Sequence, residues 1–175
     1  MSAANAAHEG ASAKSLLIVY HSQTGATERL AQAVARGAAA EGAVRVQLLR
    51  ADAAGPEQVL ASDGYVFASP EYLGGLAGLV KDFFDRCYYP ALDRINGRPY
   101  AGLICAGSDG QGALRQLERI ATGWRLRAVA PTRIVCTHAQ TPAQITAPKW
   151  IDAAVVEECE RLGVALAQGL RLGVF

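Results

Sequence analysis

Several features that mark other classes of protein are missing from this sequence. Its four cysteines, Cys87, Cys105, Cys136 and Cys159, form no CxxC pair and no metal-like group with histidine. That pattern disfavours a zinc or redox motif and suits a reducing compartment. No apolar run approaches the roughly 20 residues of a membrane span, and residues 1–14 lack the apolar core of a signal peptide. We therefore expect a cytoplasmic protein without a membrane span.

An excess of charge of one sign is also missing. Lysine and arginine number 17, aspartate and glutamate 16, and the formal net charge is +1. A nucleic-acid-binding protein needs a concentrated basic face, and a small carrier that docks by charge on basic partners is strongly acidic. The sequence therefore predicts no nucleic-acid partner, and its near-neutral charge disfavours such a carrier.

What the sequence does contain is enough apolar material for one globular domain. Hydrophobic residues make up 51% and charged residues 19% of the 175 residues, which is ordinary for a folded chain with a single core. Residues 1–14 are small and polar and are predicted to be a disordered tail. The domain is therefore expected at residues 15–175.

Apolar strand-like runs alternate with helix-like segments along the chain. The predicted strands are residues 15–20, 44–49, 64–69, 100–107 and a fifth within 127–137. The predicted helices are residues 27–41, 56–61, 75–88, 113–122 and 151–170, and residues 138–148 are predicted to be a loop. This alternation predicts an α/β fold with a three-layer, doubly wound, five-stranded parallel sheet. Such sheets bind ligands beyond the carboxyl ends of their strands.

The loop after the first predicted strand is rich in hydroxyl groups. Ser22, Thr24 and Thr27 surround Gly25 at the start of a predicted helix. A helix N-terminus offers unpaired N–H groups and a partial positive charge, so this loop suits a phosphate. One hydroxyl would be enough to cap the helix, and three around a glycine favour binding over capping alone. Because no lysine or arginine lies between Ser22 and Thr27, neutral donors would hold the phosphate.

Other sites of related architecture are excluded by single residues. A nucleotide-hydrolysing P-loop needs GxxxxGK(S/T), and the first loop has neither its lysine nor the dinucleotide fingerprint GxGxxG. A phosphoacceptor receiver needs carboxylates where His21-Ser22 and Ser69-Pro70 stand, and a phosphatase of this architecture needs a cysteine in the first loop. A monoester phosphate held by neutral donors is the favoured interpretation, and a helix cap alone is the alternative.

Two motifs resemble those of known families. The pattern S-x-T-G-x-T at residues 22–27 resembles the phosphate loop of the flavodoxin superfamily, and the resemblance extends over residues 15–170. The segment SPEYLGGLAGLVKDFFDR, residues 69–86, resembles the flavodoxin-like NAD(P)H:quinone oxidoreductases and the related NADPH-dependent FMN reductases. Their pattern G-x-x-K-x-F-x-D is matched by Gly78, Lys81, Phe83 and Asp85. The resemblance implies the flavodoxin-like strand order 2-1-3-4-5.

The resemblance implies that FMN is bound by three loops. The phosphate would contact Ser22, Gln23, Thr24, Gly25, Ala26 and Thr27. The isoalloxazine would lie beside the second loop, Pro70, Glu71, Tyr72, Leu73 and Gly74, whose backbone groups face the flavin edge and whose Tyr72 or Leu73 packs on the ring. The third loop, Gly107, Ser108, Asp109, Gly110, Gln111 and Gly112, would approach the pyrimidine edge or the ribityl chain.

The implied function is an FMN-dependent oxidoreductase that uses NAD(P)H to reduce quinones or similar small acceptors. Because the cofactor carries the chemistry, we expect no essential catalytic side chain and no metal. A flavodoxin-type electron-transfer protein is the alternative, which the near-neutral charge disfavours. A domain without its cofactor is a third hypothesis, which the intact first loop disfavours.

The substrate side and the oligomer are less defined by sequence. Quinone oxidoreductases often carry a histidine where this chain has Trp124 and Arg125. These two residues and Tyr72 are candidates to line the substrate side, whereas the lone His138 is more often a polar loop residue. The resemblance implies a homodimer or homotetramer, for which Tyr88-Tyr89 and the Leu76/Leu79 region provide either an interface or core packing.

Overall fold

The computed structural model describes residues 13–175, so most of the predicted tail 1–14 lies outside the described residues. Within these described residues the chain forms seven strands: β1 Ser15–Tyr20, β2 Arg45–Arg50, β3 Gly64–Tyr72, β4 Gly75–Leu76, β5 Pro99–Ala106, β6 Arg127–Ala128 and β7 Arg133–Cys136. Six helices accompany them: α1 Ala26–Ala40, α2 Pro56–Leu60, α3 Gly78–Ala91, α4 Gln111–Gly123, α5 Pro142–Thr146 and α6 Ala153–Leu172.

The sheet is parallel apart from one short hairpin strand. Its order is β2-β1-β3-β5-β6, with β7 also pairing with β5 and with β4 antiparallel to β3. When β4 is left out and β6 and β7 are counted as one broken strand, this is the predicted order 2-1-3-4-5. The prediction of a doubly wound parallel sheet is therefore confirmed.

Strand β1 shows why its sequence is a continuous apolar run. Leu17 and Val19 join the core that α2, α3 and α4 cover, whereas Leu16 and Ile18 join the core that α1 and α6 cover. All four are fully buried. Because side chains alternate between the two faces of a strand, a strand covered on both faces has no solvent-exposed position and is mostly apolar.

The fifth predicted strand is broken. Residues 129–132 separate β6 from β7, and they contain Pro131, which has no N–H group for a sheet ladder. Both pieces still pair with β5 in parallel register, through Tyr100↔Ala128 and Ile104↔Ile134. The prediction of a fifth strand is confirmed, and its continuity is wrong.

The predicted helix at residues 75–88 begins later than expected. Gly75–Leu76 forms β4, which pairs with Glu71 and Tyr72, and α3 begins only at Gly78. Leu76 is buried in the hairpin, and a core-facing position of a helix would also be apolar, so its apolar character does not distinguish the two structures. Of the residues predicted to provide either core packing or an interface, Leu76 lies in the core, whereas Leu79, Tyr88 and Tyr89 are exposed.

Helices α1 and α6 approach each other closely through glycine. A Cβ atom at Gly37 would lie 2.0 Å from the carbonyl oxygen of Glu160, and one at Gly163 would lie 2.1 Å from that of Val34. These distances leave no room for a side chain, so the two backbones touch. The contact fixes α1, whose N-terminus follows the hydroxyl-rich loop.

Candidate functional site

A cavity of about 830 Å³ opens at the carboxyl ends of the central strands, a size typical of ligand pockets. All three predicted loops contribute to its lining, namely Ser22, Gln23, Thr24, Ala26 and Thr27, then Pro70, Glu71, Tyr72, Leu73 and Gly74, then Gly107 and Ser108. Cys105 and Ala106 at the end of β5 complete this part. The sequence therefore identified three walls of one cavity.

The first loop presents an uncapped helix N-terminus to the cavity. Gly25 adopts a φ of 90° and has no side-chain capping bond, while its N–H donates to Ser22 Oγ at 3.1 Å. The first helical bond runs from Arg29 N–H to Gly25 O at 3.0 Å. The N–H groups of Ala26 and Thr27 precede that bond and have no acceptor within the helix. Both residues line the cavity, which makes this end suited to an anion.

The acidic side chain in the first turn of α1 does not oppose an anion there. The Tyr20 hydroxyl donates to Glu28 Oε1 at 3.0 Å, so this carboxylate is engaged on β1. Burial raises the pKa of Tyr20, and the hydrogen bond to Glu28 raises it further. Glu28 is absent from the lining of the cavity.

The second loop is a hairpin whose tip projects into solvent. Leu73 and Gly74, the two residues between β3 and β4, have φ of 52° and 79°. Positive φ at both central positions is the signature of a type I′ turn. The Leu73 side chain is fully exposed, and the Tyr72 ring meets that of His21 edge-on at 6.1 Å. Burial, more than the Arg50 charge, lowers the pKa of His21.

Glu71 joins the second loop to the third through its side chain. The N–H groups of Gly110 and Ala113 donate to its two carboxylate oxygens, each at 3.0 Å. Helix α4 has Gly110 as its N-cap and no capping side chain of its own, so Glu71 caps it from a distant part of the chain. The sequence predicted only a backbone contribution from Glu71.

The third loop is divided between lining and support. Gly107 and Ser108 line the cavity, whereas Asp109, Gly110, Gln111 and Gly112 do not, and neither does Gly25 of the first loop. Asp109 Oδ1 accepts from Gln111 N–H at 2.9 Å, and Gly110 has a φ of 72°. A Cβ at Gly112 would lie 2.0 Å from Gly74 O. These residues bring the two loops together, and their contact with a flavin stays a prediction.

A fourth wall comes from residues 137–149, called here the cover segment. Thr137, Ala139, Gln140, Ile145, Thr146 and Lys149 line the cavity. The segment was predicted to be a loop, but it contains α5, which is capped by Thr141 Oγ1 accepting from Gln144 N–H at 3.3 Å. The spacing T-x-x-Q of a capping box is the signal that would have found it.

The cover segment is attached to two of the predicted loops. Gln140 Nε2 donates to Ser108 Oγ at 3.2 Å, and Lys149 N–H donates to Thr24 O at 2.9 Å. It therefore spans the cavity from the third loop to the first.

Trp124 and Arg125, two candidates for the substrate side, do not line this cavity, and for Trp124, which lies in the core, that candidacy is wrong. The Trp124 ring is 5% exposed and packs edge-on against Phe84 and Phe67, with centroids 5.1 and 6.2 Å apart. Arg125 pairs with Asp93. Packing in the core buries more of the apolar surface of the indole ring than a place in the cavity wall would. His138 is exposed and outside the lining, although Thr137 and Ala139 on either side belong to it.

The thiol in the cavity is not activated. Burial raises the pKa of Cys105 to about 11, and the same cause raises those of Cys87 and Cys159 to about 11. A thiolate, not a thiol, is the nucleophilic form. Cys105 is therefore protonated at neutral pH and acts as a small apolar wall residue.

Residues 13–175 contain neither a metal-binding cluster nor a membrane-spanning helix. No three histidine, cysteine, aspartate or glutamate side chains in this range are grouped so as to hold a metal ion. No helix in the same range combines the length and apolarity that crossing a membrane requires.

Curated relatives match part of this chain. A flavodoxin of Aquifex aeolicus is 32% identical over 97 residues, which is 55% of this chain and 52% of the relative. An NAD(P)H-dependent FMN reductase of Schizosaccharomyces pombe is 32% identical over 75 residues, which is 43% of this chain and 35% of the relative. The chain thus aligns with about half the length of the flavodoxin and about a third of the reductase.

Solved structures share the fold, and a family model identifies the group. An archaeal flavodoxin superposes with a TM-score of 0.72 at 16% identity, covering 90% of this chain and 99% of that one. A WrbA-like flavodoxin from Agrobacterium tumefaciens gives 0.70 at 21% identity, covering 91% and 98%. At these identities the likeness establishes the flavodoxin-like fold alone. The model for NADPH-dependent FMN reductase matches residues 53–141, about half of the chain. The chain therefore belongs to the NADPH-dependent FMN reductase family.

Proposed function

We propose that this protein binds FMN in the 830 Å³ cavity, with the phosphate on the first loop. The observation that carries the proposal is the donor set at one end of that cavity. Hydroxyls of Ser22, Thr24 and Thr27 stand there beside N–H groups without helical partners. These donors carry no net charge and suit an anion with several acceptor oxygens. The cavity beside them has space for the rest of a larger ligand.

The rest of the cavity suits a planar ring system with polar edges. Pro70, Tyr72 and Leu73 contribute apolar surface on one side, and Gly107 brings backbone close on the other without a side chain. Ser108 offers a hydroxyl, held by Gln140 at 3.2 Å. An apolar wall with a few oriented polar groups is the usual form of a cofactor site.

We infer that the protein is an NAD(P)H-dependent oxidoreductase whose acceptor is a quinone or a similar small molecule. FMN, when bound, supplies hydride acceptance from the nicotinamide and electron delivery to the acceptor. The chain's own residues orient the ring, hold the phosphate and leave the hairpin side open at the exposed Tyr72 and Leu73. Membership of the NADPH-dependent FMN reductase family supports NAD(P)H as the electron donor. The proposal of a quinone acceptor rests on the resemblance of residues 69–86 to the quinone oxidoreductases.

A flavodoxin-type electron-transfer protein is the second candidate. The specific observation in its favour is that two curated relatives, at 32% and 30% identity, are named flavodoxins. Both candidates share the FMN site and differ in turnover. Assembly as a homodimer or homotetramer stays a prediction, which size-exclusion chromatography with light scattering would test.

The function is tested by loading the purified full chain with FMN. We expect a flavin spectrum and NAD(P)H oxidation that benzoquinone accelerates well beyond the rate with the same concentration of free FMN. FMN uptake without such turnover would favour the electron-transfer candidate. A protein that takes up no FMN would contradict both.

The phosphate position is tested by replacing Thr24 and Thr27 with valine, singly. Each change removes one hydroxyl donor to a charged group at nearly constant volume, so FMN affinity should fall by about tenfold or more. Thr122→Val is the matched control, because its hydroxyl is bonded to Glu118 O on the exposed face of α4. Unchanged FMN affinity in both site variants would place the phosphate elsewhere.

A further inference from the structure

Lys149 brings a positive charge to a phosphate loop that has none of its own. It is the only lysine or arginine among the described residues that line the cavity. Its backbone N–H donates to Thr24 O at 2.9 Å, which joins it to the centre of the first loop. The residue lies 125 positions after Thr24 in the sequence, so the pattern of the loop alone gives no sign of it.

The position of Lys149 is fixed on both sides. Its N–H is bound to the first loop, and the next residue, Trp150, lies under the Arg29 guanidinium of α1 at 5.5 Å from the ring centroid. Both contacts tie the end of the cover segment to the start of α1. The Lys149 side chain is half-buried there, whereas residues 141–148 are exposed.

The Lys149 ammonium has hydrogen-bond partners but no counter-charge in the described part of the chain. Its Nζ donates to the carbonyl oxygens of Gln144, Ile145 and Ala147 at 2.7, 2.8 and 2.6 Å. Three carbonyls use all three N–H donors and orient the group, but they leave a full positive charge.

The other two lysines of the sequence are neutralised. Lys14 pairs with Asp63 at 2.9 Å and Lys81 with Asp85 at 2.7 Å. The acidic group in the lining, Glu71, is occupied by the N–H groups of Gly110 and Ala113. Lys149 is therefore the lysine whose charge is left for a ligand.

We propose that Lys149 is a specificity-determining residue, whose charge selects phosphorylated flavin over flavin without phosphate. This inference rests on the proposed FMN site. The hydroxyl loop supplies the hydrogen-bond donors, and Lys149, whose own donors are used by carbonyls of the cover segment, adds electrostatic attraction to a phosphate dianion, a group that riboflavin lacks. A residue that only capped α5 through its last carbonyls would stabilise the cover segment and affect both flavins alike.

The test compares two flavins on the full chain freed of cofactor. Lys149→Met keeps the aliphatic stem and removes the charge, Lys149→Arg keeps the charge, and Lys81→Met is the control on the exposed face of α3. FMN and riboflavin are titrated separately, with flavin fluorescence as the readout. We expect Lys149→Met to lose about tenfold in FMN affinity, with riboflavin affinity unchanged within about twofold. Lys149→Arg should retain most of the FMN affinity, and Lys81→Met should match the wild type with both flavins.

The salt dependence of FMN affinity is a second readout, which a purely structural role of Lys149 would not change. Raising the ionic strength should weaken FMN binding to the wild type more than to Lys149→Met, because only the wild type has this partly exposed charge pair to screen. Equal loss of both flavins in Lys149→Met, or unchanged FMN affinity, would overturn the assignment while leaving the FMN site intact. Wild-type protein that binds neither flavin would instead overturn the proposed function, and this inference with it.

Discussion

Leu73 stands in a backbone conformation that suits its side chain poorly. Its φ of 52° lies in the left-handed region, where a bulky residue is strained by about 1 kcal/mol or more. The side chain is fully exposed, so packing within the chain offers no compensation. Strained residues persist where they serve a site, and Leu73 lies at the rim of the cavity. Apolar cover for a ring system is the role that fits this position.

Replacing Leu73 with asparagine should separate stability from binding. Asparagine tolerates positive φ, so the free energy of unfolding in urea should rise by about 0.5–1 kcal/mol. FMN affinity should fall at the same time, because the apolar cover is lost. Leu79→Asn is the control, since Leu79 is 40% exposed and lies in a helix with ordinary backbone angles, and it should give no gain in stability. If Leu73→Asn did not raise the free energy of unfolding, the turn would carry no strain at this position.

Close contact between α1 and α6 is the main constraint at the level of elements. Both crossing positions are glycines, Gly37 and Gly163, and an added Cβ would overlap backbone atoms of the opposite helix. Backbone cannot move aside as a flexible side chain can, so the helices would have to separate. Separation would also shift the N-terminus of α1, where the phosphate is proposed to bind.

Gly163→Ala should therefore destabilise the fold although alanine favours helix. Overpacking of this kind costs about 1–3 kcal/mol, which exceeds the gain of about 1 kcal/mol in helix propensity. Urea denaturation monitored by circular dichroism measures the change. Gly123→Ala on α4 is the control, because a Cβ there meets nothing within 4 Å, and we expect no loss. Equal stability of the two variants would mean that α6 shifts freely on α1.

Thiol reactivity tests the packing of the whole molecule. Cys87, Cys105 and Cys159 are buried, and burial raises the pKa of each to about 11. At pH 8 only about one in a thousand of such thiols is ionised. Cys136 is partly exposed, and its Sγ donates to Ser108 O at 2.8 Å.

We expect a thiol reagent at pH 8 to label one cysteine quickly in the native protein without flavin and all four in guanidinium. Cys136→Ser should abolish the fast phase. Labelling of the other three should quicken as pH rises toward 11, because the thiolate fraction grows. Two or more fast thiols in the native wild type would contradict the packing of the two cores.

At the scale of the whole chain, the sequence predicted what depends on local pattern. The apolar run of β1 and the hydroxyls before α1 each follow from neighbouring residues, and both were recognised. The cover segment was missed because it has little apolar surface and depends on contacts with Ser108 and Thr24, far away in the sequence. Trp124 was misplaced because an aromatic side chain in a loop-like stretch looks the same whether it lines a site or fills a core.

The pairing of α1 with α6 also sets the order of events during synthesis. Arg36 and Glu160, joined across these helices by a 2.9 Å hydrogen bond, lie 124 positions apart. Helix α1 leaves the ribosome early, yet its neighbour emerges only when most of the domain has been made. Contacts so distant in sequence form late. The hydroxyl-rich loop, where the phosphate is proposed to bind, is therefore completed late although it is made early, and a cofactor would enter a folded domain instead of a nascent chain.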